Sequence, residues 1–108
     1  MIQSSSVSIS FLVKIYLRRA QARYSIKKLE DAKDDIKSLL LLDERNEQGR
    51  RLQAKIKTEI NLDIALEKKS LADSHFKAKE FTEALIHYDE SSKLLEGPEN
   101  QYDLIKVL

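Results

Sequence analysis

Cysteine and tryptophan are absent from this 108-residue chain, glycine occurs twice and proline once. Without cysteine there is no disulfide framework and no thiolate zinc site. So little glycine and proline excludes an all-β sandwich or barrel, which needs several tight turns. No apolar run approaches the roughly 20 residues of a membrane-spanning helix. The basic residues follow the apolar Phe11-Leu12-Val13 patch instead of preceding it, the reverse of a secretory leader. What is abundant is charge: 34% of residues are Asp, Glu, Lys or Arg, nearly balanced at a net +1. With Leu, Ala, Lys, Glu and Ile dominating, this is the composition of a helical protein with solvated faces. The expectation is an all-α cytoplasmic protein with neither nucleic acid nor membrane as its main partner.

Met1–Ser10 is uncharged and Ser-rich, and residues 1–12 are expected to form a poorly ordered lead-in. From there Leu12, Tyr16, Ala20 and Tyr24 recur every four residues, the spacing of one helix face. Leu29, Ala32, Ile36, Leu39 and Leu40 mark a second helix, with Glu30, Asp31, Asp34 and Asp35 near its positive end. The short gap between the two predicts an antiparallel hairpin over 13–46. Asn46 is placed to cap the next helix, where Leu52, Ile56, Ile60 and Ile64 share a face. This cap or connecting helix spans 47–64. It either runs on to Ala78 or meets a second helix near Asn61–Asp63; the lack of Gly or Pro there favours one long helix. A second hairpin over 65–98 breaks at Lys79-Glu80 and ends with Gly97 as a C-terminal cap and Pro98 beyond it. Tyr102, Ile105 and Leu108 begin a further helix over 99–108.

The two hairpins are copies of one pattern. When Ala32 is aligned on Ala84, small residues coincide at Ala20 and Ala72 and aromatics at Tyr24 and Phe76. Large apolar residues coincide at Leu29 and Phe81, and again at Ile36 and Tyr88. Small residues let two helices approach closely while large ones fill the space between them. The windows resemble the tetratricopeptide repeat, a helix-turn-helix unit of about 34 residues. Lys27 and Lys79 stand where the family usually has Gly, and Glu44 where it usually has Pro. The resemblance implies a short superhelix of antiparallel hairpins with a long central helix. The first window looks like the last repeat of a co-chaperone array, Asn46–Ile60 like the helix that caps such an array, and the second window like the first repeat of another. The chain then reads as a junction of two arrays, or as a relative that has lost repeats.

The sharpest chemical feature is the basic run Lys14, Arg18, Arg19, Arg23, Lys27 and Lys28, with no acid before Glu30. Lys14 and Arg18 lie four apart on one face. By resemblance they correspond to part of the carboxylate clamp with which tetratricopeptide co-chaperones hold the acidic C-terminal tails of heat-shock chaperones. Lys69 and Asp73 fall at the first-repeat clamp positions, Asp73 replacing the family's Asn with an anion, and Gln21 completes the residues presented by the first helices. The competing reading makes Lys14, Arg18 and Arg23 a solvated face partly neutralised by Asp31, Asp34 and Asp35.

Other chemistry finds little support. The two histidines, His75 and His87, sit on separate helices without a shared spacing. Glu83 or Asp89 could complete a metal site with them, but surface or groove histidines are far more common and no metal site is expected. The glycines are too far apart for a phosphate loop, and Ser4, Ser5 and Ser6 have no partnered base. Tyr16, Tyr24, Phe76, Phe81 and Tyr88 sit at core spacing, which predicts packing and not base stacking. The sequence thus points to a non-enzymatic protein-interaction scaffold without cofactors, binding a protein or peptide in a groove. The alternative is a structural helical subunit that forms homo-oligomers, or sits in a larger complex, through exposed apolar helix faces.

Overall fold

A computed structural model describes residues 2–97, with side chains from Val7 onward. Among the described residues there are four helices and no strand: α1 (Ile2–Ser25), α2 (Leu29–Leu42), α3 (Glu47–Lys77) and α4 (Phe81–Leu95). The all-α expectation holds. The expected helix over 99–108 lies outside the described residues. The chain divides into two compact units, 1–57 and 58–108. The division falls within α3, which is one 31-residue helix through Asn61–Asp63, as the absence of breakers there predicts.

In the first unit, α1 and α2 form an antiparallel hairpin whose close contact is made by Ala20 and Ala32, both fully buried. Large side chains surround them: Leu17, Leu29, Ile36 and Leu39 from the hairpin, Leu52 and Ile56 from the start of α3. Ile36, Leu39 and Ile56 are the largest wholly buried side chains, each contributing roughly 2 kcal/mol through removal from water. Asn46 caps α3 as its sequence position predicts, its Oδ1 accepting from the Gly49 N–H at 2.8 Å. Gly49 is buried against Leu39, where an added Cβ would lie 2.8 Å from the leucine methyl. The missing side chain is what lets the first turn of α3 settle onto α2.

Helix α1 begins at Ile2, well before the lead-in expected over 1–12 gives way. No Gly or Pro interrupts this stretch, serine is only mildly unfavourable in a helix, and Val7 continues the face of Phe11 and Ile15 at four-residue spacing. Gly97 also departs from expectation. It follows the end of α4 but does not take a left-handed conformation; the only positive φ angles among the described residues belong to Lys27 (66°) and Lys79 (63°).

Those two lysines end α1 and α3 in the same way. Lys27 N–H donates to Tyr24 C=O and Lys28 N–H to Arg23 C=O; Lys79 and Glu80 donate likewise to Phe76 and His75. Both are Schellman turns, which use a left-handed residue to satisfy the last carbonyls of a helix. The residues entering the next helices match as well, Lys28 at φ −86°, ψ 69° and Glu80 at φ −89°, ψ 72°. The repeat seen in the sequence is therefore repeated in backbone geometry.

In the second unit α4 folds back antiparallel on the C-terminal part of α3. Among the described residues the buried side chains here are small: Thr58, Ala65, Ala72, Ala84 and Ser91, whose hydroxyl donates to the Ala65 carbonyl at 2.8 Å. Ser91 takes the place that Leu39 holds in the first hairpin, so less apolar area is buried. Phe76 and Phe81, expected in the core, pack edge to face with ring centroids 5.4 Å apart but remain about half exposed. Leu66, Leu71, Leu85 and Ile86 are exposed too.

Candidate functional site

The basic residues of α1 separate into two sets. Arg19 and Arg23 face α2 and converge on Asp35, which is only 2% exposed. Arg19 Nε and Nη2 donate to Asp35 Oδ1 at 3.0 and 2.7 Å, and Arg23 Nη1 donates to both carboxylate oxygens at 2.9 Å. The bond to Asp35 raises the already high pKa of Arg19, whose guanidinium also lies 5.5 Å from the Tyr16 ring centroid. A carboxylate this deeply withdrawn from water is tolerated only when paired and hydrogen-bonded. These two arginines therefore hold the hairpin together: Asp35 neutralises Arg23 as expected, but as a buried partner between the helices and not on a solvated face.

Lys14 and Arg18 form the other set. Both are exposed, and neither has a carboxylate partner among the described residues. Arg18 Nη1 donates to Gln21 Oε1 at 3.2 Å, so Gln21 orients the guanidinium along α1. Lys14 borders two surface depressions. One lies on the outer face of α1, between Phe11, Ile15, Arg18 and Arg19. The other runs from Ile9 and Val13 across to Leu42, Asn46 and Gln48 at the α2–α3 turn. Two cations beside apolar grooves can hold a carboxylate by charge-assisted hydrogen bonds while adjacent apolar side chains are covered.

Lys69 and Asp73 belong to the second unit and engage each other: the Lys69 ammonium donates to Asp73 Oδ2 at 2.9 Å. Asp73 Oδ1 also accepts a hydrogen bond from the Tyr88 hydroxyl. The Tyr88 bond first and the Lys69 bond second hold Asp73 below the usual carboxylate range, while the same carboxylate pushes the Tyr88 phenol up. The anion that stands where an amide was expected thus occupies Lys69 and ties α4 to α3.

The histidines gave no sequence signal, yet the hairpin brings them together. Their rings stack with centroids 5.4 Å apart and planes 15° from parallel. His75 Nδ1 lies 2.9 Å from Glu80 Oε1, and His87 Nδ1 lies 2.9 Å from Glu90 Oε1. The His87 bond lowers the Glu90 pKa, with Lys68 at 3.5 Å adding to it. Glu83 and Asp89 do not partner the rings. In-plane lone pairs on nearly parallel rings do not meet at one point, and among the described residues no group of three His, Asp or Glu side chains could hold a metal. The pair stands where Arg23 and Asp35 stand in the first hairpin, 52 residues earlier, so it is the second hairpin's counterpart of that ion pair.

No described helix is long and apolar enough to cross a membrane. Compared with protein-family models, with curated proteins and with solved structures, the chain has no match.

Proposed function

We propose that the chain is a tetratricopeptide-like, non-enzymatic interaction scaffold of the co-chaperone or complex-assembly type, working in the cytoplasm. Its ligand is an acidic peptide segment, such as the carboxylate-terminated tail of a heat-shock chaperone, laid along α1. The observation that carries this reading is the division of labour on α1. Arg19 and Arg23 are committed to Asp35, whereas Lys14 and Arg18 are left exposed beside Phe11 and Ile15. Lys14 and Arg18 grip the carboxylate, Gln21 aligns Arg18, and the apolar neighbours cover the ligand's side chains. Lys69 and Asp73 neutralise each other and add little to the grip.

Calorimetry with an acidic C-terminal peptide, as free acid and as amide, tests this. Lys14→Glu with Arg18→Glu is expected to abolish binding without loss of helix, and amidation to weaken it. Unchanged affinity in the double variant removes the reading.

The second reading, a structural subunit that self-associates, is favoured by the second unit. Its core is small, and Phe81 and Leu85 are 50% and 68% exposed on α4.

A further inference from the structure

We propose that copies of this chain associate head to tail, the basic apolar stripe of α1 in one copy docking on the acidic apolar stripe of α4 in the next. This rests on the self-association reading and supplies its two surfaces. Residues 1–57 carry thirteen Lys and Arg against seven Asp and Glu; residues 58–108 carry six against eleven. A chain of nearly zero net charge is thus basic in its first unit and acidic in its second.

The exposed apolar stripes carry the same polarity. On α1, Val7, Phe11 and Ile15 follow at four-residue spacing, all more than half exposed, with Lys14 and Arg18 beside and after them. On α4, Phe81 and Leu85 are followed at the same spacing by Asp89 and then by Lys93, which pairs with Asp89, and Glu96 follows just past the end of the helix. α1 reads apolar first and basic second; α4 reads apolar first and then Asp89, Lys93 and Glu96, which leaves a net acidic end. Laid side by side in the same direction, both parts match at once.

Two α1 stripes facing each other would instead oppose cations with no acid in either helix. Repulsion therefore disfavours a symmetric dimer through this face. The Asp89–Lys93 pair at 3.0 Å is exposed and of the i,i+4 kind, so it yields to an intermolecular partner at small cost. Apolar burial supplies most of the affinity, and the charges supply orientation and speed of encounter. Because the two surfaces differ, each docked copy offers a fresh face to the next.

Sedimentation velocity on the full chain tests the proposal, using a rising protein concentration at about 20 mM and about 500 mM salt, where screening lengths differ severalfold. The chain is expected to form a concentration-dependent series that high salt shifts toward monomer. Lys14→Glu with Arg18→Glu, and separately Asp89→Lys with Glu96→Lys, should each weaken self-association about tenfold. Mixing the two variants should restore a complex, with circular dichroism confirming that both remain helical. A wild-type chain that is monomeric throughout overturns both this proposal and the self-association reading. Oligomers indifferent to both charge variants overturn the head-to-tail arrangement and leave self-association by another face. Binding of α1 to anionic vesicles by a chain that stays monomeric overturns it in favour of a lipid surface.

Discussion

Lys27 and Lys79 show how a single backbone position can be read from side-chain statistics and still be occupied by the wrong residue. The Schellman turn needs a left-handed residue, glycine is the usual solution, and both positions carry lysine at φ 66° and 63°. A Cβ in that region costs roughly 1–2 kcal/mol. Glycine removes this cost but gives back part of it in unfolded-state entropy. Lys27→Gly and Lys79→Gly are therefore each expected to stabilise the chain by about 0.5–1 kcal/mol, measured as a rise in the urea midpoint. A loss of stability would mean that the lysine side chains contribute more than the backbone strain.

Asp73 and Tyr88 carry the clearest pH signature. Asp73 is held below its ordinary pKa, so its stabilising bond is complete above about pH 4 and fails as pH falls through the lowered value. Tyr88 is raised, so its contribution is complete below about pH 10 and fails as pH rises through the raised value. Asp73→Asn is expected to lower the Tyr88 phenol toward its ordinary range in an ultraviolet titration, burial still holding it up in part, and to remove the acid-side loss at this site. A phenol titration identical in the two chains would contradict this.

At the scale of elements, the two hairpins run the same backbone through different chemistry. Ala20, Ala32, Ala72 and Ala84 were legible as contact points because close helix packing admits little else, and all four are buried. The break at Lys79-Glu80 and the Asn46 cap were legible for the same local reasons, whereas the start of α1 was not. The neutralisation of Arg23 by an acid of α2 was legible as well, but not the burial of Asp35 or its bond to Arg19, 16 positions away. Nor was the stacking of His75 and His87, which meet only because the second turn repeats the first. The exposure of Phe76 and Phe81 escaped for another reason: a helical period marks a face as apolar without saying what covers it. Ile36→Ala should cost about 3 kcal/mol, whereas Leu85→Ala should stay within about 0.5 kcal/mol in monomeric protein, both measured by urea unfolding. Equal effects would mean that burial in the first hairpin is not what stabilises it.

For the whole molecule, the scarcity of glycine and proline acquires a second meaning. It first excludes β folds; in the structure it leaves helix ends to lysine and glutamate and lets α3 run for 31 residues. Among the described residues the first unit buries large side chains around an ion-paired core, while the second buries small ones and leaves Phe76, Phe81, Leu85 and Ile86 exposed. The central claim is that the α1 face bearing Lys14 and Arg18 receives an acidic ligand. Its most direct test is a titration of isotope-labelled protein with an acidic C-terminal peptide, followed by amide chemical shifts. The account predicts shifts concentrated between Phe11 and Gln21 and absent from the Lys14→Glu, Arg18→Glu variant. No shifts, or shifts confined to residues 58–97, would contradict it.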